Sequence, residues 1–222
     1  MTADGWSAAV RRRLGLGRLV ALGGFEDGVW ISERAAAAVL GAAAAALPGC
    51  GVTSLRIAPA DPGAGAGAAV PAPPTALAPG PHRVSVELVA LGGRPLPELV
   101  AGLRDALLTA ARDRLGLLVS DIDVEVTALV DVLPDPPDGP PPPGPADQPA
   151  SAAATAALTT PGVARLTAEL GPPVHRADGH IRVELASAPP HNPLEVGRAV
   201  RTAVGRAVPD ADSVAVLVTW AG

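Results

Sequence analysis

The feature that most constrains the fold is a strand–helix–strand pattern in residues 84–129 that returns, in register, in residues 181–220. Val84, Val86 and Leu88 alternate with Ser85 and Glu87, the period-two signature of a strand with one buried face. Gly92, Gly93 and Pro95 interrupt it, as turn residues do. Leu96, Leu99, Val100, Leu103, Ala106, Leu107, Ala110 and Ala111 then recur at helical spacing, with Glu98, Arg104, Asp105, Arg112 and Asp113 mainly on the other side. A helix of that kind has one apolar stripe to lay on a sheet. Gly116, between Leu115 and Leu117, is the expected C-cap. Ile122, Val124, Val126, Ala128 and Val130 alternate as a further strand.

The later stretch keeps this register. Val84-Ser85-Val86-Glu87-Leu88 lines up with Ile181-Arg182-Val183-Glu184-Leu185. At the same offset Glu98 meets Glu195, Leu99 meets Val196, Leu103 meets Val200 and Leu107 meets Val204. After a shorter loop, Val124, Val126 and Thr127 meet Val216, Val218 and Thr219. Upstream, Gly51-Val52 and Gly162-Val163 each follow an Ala-rich segment, 35–47 and 150–158. The same order of elements occurring twice points to duplication. The expected fold is α+β: two similar small units, each helix–strand–strand–helix–strand, forming two-layer α/β sandwiches. The boundaries predicted are a basic amino-terminal extension (1–28), a first unit (29–131) holding a long Pro/Gly loop (58–82), a Pro-rich linker (132–149) and a second unit (150–222). Each unit is under about 100 residues and gains burial by packing on the other, so packing is expected over separation on the linker.

Composition sets the kind of core and excludes some partners. The chain is 48% hydrophobic but only 2% aromatic, so its core must be aliphatic. All 17 basic residues are arginine, and the abundance of Ala, Gly, Pro and Arg suggests a GC-rich bacterial coding sequence. A net charge of −5 argues against general nucleic-acid binding. The single cysteine, Cys50, excludes an internal disulfide framework and fits a reducing compartment.

The amino-terminal region offers the first candidate contact. Arg11, Arg12, Arg13 and Arg18 face one acid, Asp4, and Trp6, Val10 and Leu14 sit four apart. A short basic helix of this pattern could lie on an anionic membrane surface or on a partner, although Gly15 and Gly17 weaken it as a helix. Arg12-Arg13 resembles a twin-arginine export signal, but Glu26 and Asp27 break the apolar region such a signal needs. Ser32 is the expected N-cap of a helix over 33–47, too short for a span of about 20 apolar residues. Leu47-Pro48-Gly49-Cys50 resembles a lipoprotein attachment box; a helix stop at Pro48-Gly49 before a strand over 52–57 is the favoured reading. The Pro/Gly loop is expected to be mobile, and the tract centred on 140–143 to be an extended linker.

No polar constellation reads as a catalyst. Asp121, Asp123 and Glu125 alternate with Ile122, Val124 and Val126, so they are expected on the solvent face of a strand rather than around a metal ion. His175, His180 and His191 come without cysteine ligands and are expected in loops or on the surface. No serine lies in a Gly-x-Ser-x-Gly elbow, and nothing around Cys50 signals an activated thiol. Arg198, Arg201 and Arg206 form a candidate anion or partner face on the last helix, flanked by Glu195, Asp210 and Asp212. The expectation is a protein without catalytic, cofactor-binding or metal-binding residues.

The Ala-rich helices closing on Gly51-Val52 and Gly162-Val163, the strand 84–91, the helix opening near Pro97-Glu98, its end at Leu115-Gly116-Leu117 and the strand 122–129 together resemble the alkaline shock protein family of bacterial envelope-stress proteins. The first unit carries the pattern more fully than the second. The tandem arrangement, the 58–82 loop and the amino-terminal extension depart from it. The resemblance implies a non-enzymatic scaffold or stress-response protein. It would be cytoplasmic and peripheral to the inner face of the membrane, acting through protein partners that include a membrane-anchored relative, and able to self-associate. It implies no cofactor and no specific nucleic acid. The alternative is a ligand- or RNA-binding α/β module using the arginine face.

Overall fold

The computed structural model describes residues 16–63, 67–93, 95–135, 141–142, 144 and 150–222. In chain order the elements are β1 (Leu19–Leu22), β2 (Val29–Ser32), α1 (Glu33–Ala45), β3 (Cys50–Pro59), β4 (His82–Leu91), α2 (Leu96–Thr109) with a π-helical turn (Ala110–Leu115), β5 (Val119–Val130), α3 (Ala152–Leu158), β6 (Val163–Leu166), β7 (Val174–Ala177), β8 (His180–Ser187), α4 (Pro193–Ala207) and β9 (Ser213–Ala221). The fold is α+β.

Local chemistry sets the boundaries. The Ser32 hydroxyl accepts from the Ala35 amide and starts α1, and the Ala-rich run that follows carries high helix propensity. Asn192 caps α4 by accepting from the Leu194 amide, with Pro193 at the first helical position. Gly116 ends the π-helical turn at φ 72°, a conformation that glycine adopts without steric cost. Asp178 and Gly179, both at positive φ, make the tight turn between β7 and β8. The strand β7 itself had no clear sequence signal, since Val174–Ala177 carries one large apolar residue.

Two sheets organise the molecule. The smaller has the order β3-β4-β5, and the larger β1-β2-β9-β8-β6, with β7 also paired to β8. In the smaller, β3 is antiparallel and β5 parallel to the central β4. In the larger, β6 is antiparallel and β9 parallel to β8. The strand order and sense on both central strands are therefore the same. The two sheets differ at one edge. β2 lies parallel along the far side of β9, pairing Val29 with Val216, Trp30 with Leu217 and Ile31 with Val218. No described strand takes the corresponding place beside β5.

One continuous apolar cluster joins the inner faces of both sheets to all four helices. It includes Leu22 and Ile31 of the first strands, Leu88 of β4, Leu103 of α2, Leu185 of β8 and Val200 of α4. The chain is packed as one core, as the burial argument anticipates. A second, smaller cluster covers the outer face of the larger sheet. There Leu19, Ala21, Trp30, Ala215 and Leu217 are closed over by Val70, with Ala68, Ala76 and Leu170 at its margin.

Two expectations need correction. Residues 16–28, assigned to an extension, are built into the larger sheet: Leu16 is buried and β1 pairs along the whole of β2. Their apolar run 19–22 is a strand, not part of a basic helix. The described residues of the 58–82 segment are also not a free loop. Its ends belong to β3 and to the start of β4, the Leu19 amide donates to the Thr75 carbonyl, and the Leu77 and Ala69 amides donate to the Leu19 and Phe25 carbonyls. The physical reason is the apolar outer face of β2 and β9. Trp30 and Leu217 would otherwise meet water, and small apolar residues in a Pro/Gly-rich strap can lie flat on them. Most of the Pro-rich tract, 136–140, 143 and 145–149, lies outside the described residues.

Candidate functional site

The candidate arginines of α4 act first as fasteners of the fold. Arg198 makes a two-pronged contact with Asp27, at 2.7 and 3.1 Å, and also reaches Glu195 at 2.8 Å. Asp27 in turn accepts from the Gly24 amide at 2.7 Å. The Arg198 hydrogen bonds hold the Asp27 carboxyl below its ordinary range despite partial burial. Arg201 donates to the Val214 carbonyl at 2.8 Å and to the Glu26 carbonyl at 2.7 Å, and its Nη1 also donates to the Asp27 carbonyl. Burial lowers its own pKa. These two side chains, read from the sequence as part of a candidate anion or partner face, pin the β1–β2 turn onto α4 and β9. Of the three, only Arg206 remains exposed without a described partner.

Arg18 is engaged in the same way. It reaches Glu33 at 3.1 Å and donates to the Ile57 carbonyl at 2.6 Å. Burial alone would raise the Glu33 carboxyl, but Arg18 and the Ile57 amide outweigh it and the net shift is downward. Arg18 thus joins the start of β1 to α1 and β3. Trp6, Arg11, Arg12 and Arg13 lie outside the described residues.

The acidic residues of β5 stand where the alternation put them. Asp123 and Glu125 are exposed, Asp121 is half-buried, and Arg83 on β4 bridges Asp121 at 3.0 Å and Asp123 at 3.5 Å. His175 and His191 are exposed, whereas His180 shares a hydrogen bond of 2.8 Å with Ser213. Among the described residues no three His, Cys, Asp or Glu side chains are placed to share a metal ion. Cys50 is buried at the start of β3, and burial pushes its thiol up, away from the reactive thiolate.

Sequence reasoning missed two buried titratable groups. Glu184, on the outer face of β8, is fully buried, accepts from the Glu169 and Leu170 amides at 2.9 and 3.0 Å, and meets Arg182 at 3.0 Å. Burial pushes its carboxyl up to about 7 against those donors. His82 is fully buried where β4 begins, and burial lowers its pKa. A signal for Glu184 was present in the sequence. β9 is apolar at every position from Val214 to Val218, which marks a strand covered on both faces; its neighbour β8 is then covered too.

Some apolar side chains also stay open at the surface. Leu108 and Leu118 are partly exposed along a groove with Pro81, Leu117 and Val119, and Leu129 and Val132 stand exposed at the end of β5. No described helix is long and apolar enough to cross a membrane. No protein-family model, curated protein or solved structure matches this chain.

Proposed function

We propose that the protein is a non-enzymatic scaffold or stress-response protein that acts through protein–protein contacts, in the manner of the alkaline shock proteins it resembles. One observation carries the reading. The charged side chains that stood out as candidates, Arg18, Arg198 and Arg201, are used to hold the fold together, while Leu118, Leu129 and Val132 stand exposed and no described strand lies on the far side of β5. Surfaces of that kind bury well against another protein. In this reading the chain works in the cytoplasm near the inner face of the membrane, held there by a membrane-anchored partner, and the repeated order of its two halves reflects a duplicated unit. Cell fractionation with crosslinking tests it: the protein is expected in the membrane-associated fraction, crosslinked to an anchored protein. A uniformly free protein without crosslinked partners would overturn the proposal. Of the three arginines of the RNA- or ligand-binding alternative, only Arg206 has no described hydrogen-bond or ion-pair partner, and Arg198 stays exposed while paired with Asp27 and Glu195. Salt-sensitive RNA binding lost in Arg206→Ala would favour that alternative instead.

A further inference from the structure

We infer that the open edge of β5 receives a strand from a partner protein, running parallel to β5, with apolar residues facing the core and a basic residue beside Glu125. The inference rests on the protein-contact reading above and names the contact. Its basis is internal, because the larger sheet contains the same edge already filled. There β2 runs parallel along β9, and the Val216 amide donates to the Gly28 carbonyl at 3.0 Å. By the register of the two strands, Val124, Glu125 and Val126 occupy on β5 the places of Val216, Leu217 and Val218 on β9.

The helix behind each edge repeats the arrangement. Arg201 of α4 donates through Nε to the Val214 carbonyl and spends Nη1 on the chain leading into β2. Arg104 stands at the matching position of α2 and donates through Nε to the Ile122 carbonyl at 3.2 Å. Its terminal nitrogens have no described acceptor. They are placed to take the carbonyls of a chain entering beside β5, as Arg201 takes those of Glu26 and Asp27.

The chemistry of the edge selects the occupant. Ile122 is buried and Val124 and Val126 are half-buried against the main core, so residues of the incoming strand beside them should be apolar. Glu125 is exposed and is the counterpart of Leu217, which packs under Trp30. A strand beside β5 therefore meets carboxylate where β2 meets leucine, and a lysine or arginine suits that place. A second copy of this chain pairing antiparallel through its own β5 would set Asp121, Asp123 and Glu125 against the same carboxylates, which is unfavourable. β5 has no proline, glycine or lysine along its length, so little but its carboxylates discourages pairing.

A blocked peptide alternating valine and arginine is the probe, titrated into the isotope-labelled full chain, with a valine–glutamate peptide as control. The expected result is saturable binding of the basic peptide, with shifts and exchange protection at the Val124 and Val126 amides. Glu125→Arg, an exposed change that leaves the backbone intact, should weaken it at least about fivefold, and N-methylation of the peptide backbone should abolish it. The inference is overturned if the β5 amides do not respond, if Glu125→Arg binds equally well, or if those amides become protected by self-association alone. Crosslinking in cells separates this from the broader reading. Partners kept by both Glu125→Arg and Val124→Pro overturn the edge and leave the scaffold; a wild-type chain with no partner overturns both.

Discussion

The central strands β4 and β8 carry a glutamate at the same register position, and the two live in opposite surroundings. Glu87 projects from the outer face of the smaller sheet into solvent, whereas Glu184 projects from the outer face of the larger sheet and is fully buried. The difference lies in what has been added around the two sheets. The larger sheet gains β1, β2 and β7, and its outer face is covered by the 67–77 strap and the segment ending at Leu170. Among the described residues the smaller sheet keeps its bare three strands. A shared pattern of strands thus becomes a sealed sheet in one case and an open one in the other, according to a few flanking segments. The sealed sheet does structural duty, and the open one is left with surface to offer.

The largest expected effect tests how far the cover on the larger sheet matters. Trp30 is fully buried between β9 and the strap. Trp30→Ala should cost about 3–5 kcal/mol in urea unfolding, the range for a large side chain removed from a core. Glu125→Ala, at the register of the Leu217 that Trp30 packs on, should stay within about 0.5 kcal/mol. Equal costs would mean that the two outer faces are not different in kind.

The next effect is a pH dependence that separates Glu184 from Glu87. An unfolded glutamate titrates near 4.5, while burial raises folded Glu184 to about 7. The folded chain therefore holds this proton more tightly. Its contribution to stability is present in full below about pH 4.5 and declines as the pH rises towards 7, by no more than about 3 kcal/mol. Glu184→Gln keeps a neutral hydrogen-bonding group and should remove that decline, so the stability of the variant relative to the natural chain should rise steadily from about pH 4.5 to 7, by no more than about 3 kcal/mol. Glu87→Gln should leave the profile unchanged. His82 works in the other direction, because burial lowers its pKa and stability should fall as the pH drops below about 6.5. With Glu184→Gln as background, that acid-side loss should stand out in the melting temperature.

Much of the fold was legible because it rests on local pattern. The alternation in β4 and β5, the stripe of α2, the Ser32 cap, the Gly116 stop and the Asp178-Gly179 turn are short-range signals with direct steric or hydrogen-bonding causes. What escaped was long-range. Residues 19–22 and 29–31 are too short to announce which sheet they join, and β2 finds its partner nearly the whole chain away at β9. The strap looked mobile by composition, yet an apolar sheet face elsewhere holds it down. The arginines of α4 were visible as a face, but their acceptors, Asp27 and the Glu26 carbonyl, lie on a turn whose position depends on that same distant pairing. The open edge of β5 was hidden for a related reason: an edge is defined by what does not arrive beside it.

The smallest effect is also the one that bears most directly on that edge. Arg104 and Arg201 hold the same position on α2 and α4 and each caps a carbonyl of the adjacent strand, at Ile122 and Val214. Arg201 additionally holds the Glu26 and Asp27 carbonyls, so its loss strands three acceptors and loosens the β1–β2 turn. Arg201→Ala should therefore cost about 1–2 kcal/mol, read by urea unfolding, with exchange protection lost first at the β2 amides. Arg104→Ala in the free protein should cost within about 0.5 kcal/mol, because its carbonyl can turn to water. If the two arginines are the same device, the larger part of Arg104's effect is deferred until a strand lies beside β5. Arg104→Ala should then weaken capture of the valine–arginine peptide while leaving the unfolding curve almost unmoved. An Arg104→Ala chain as destabilised as Arg201→Ala would mean that this edge is already closed, and the contrast between the two sheets would fail at its most specific point.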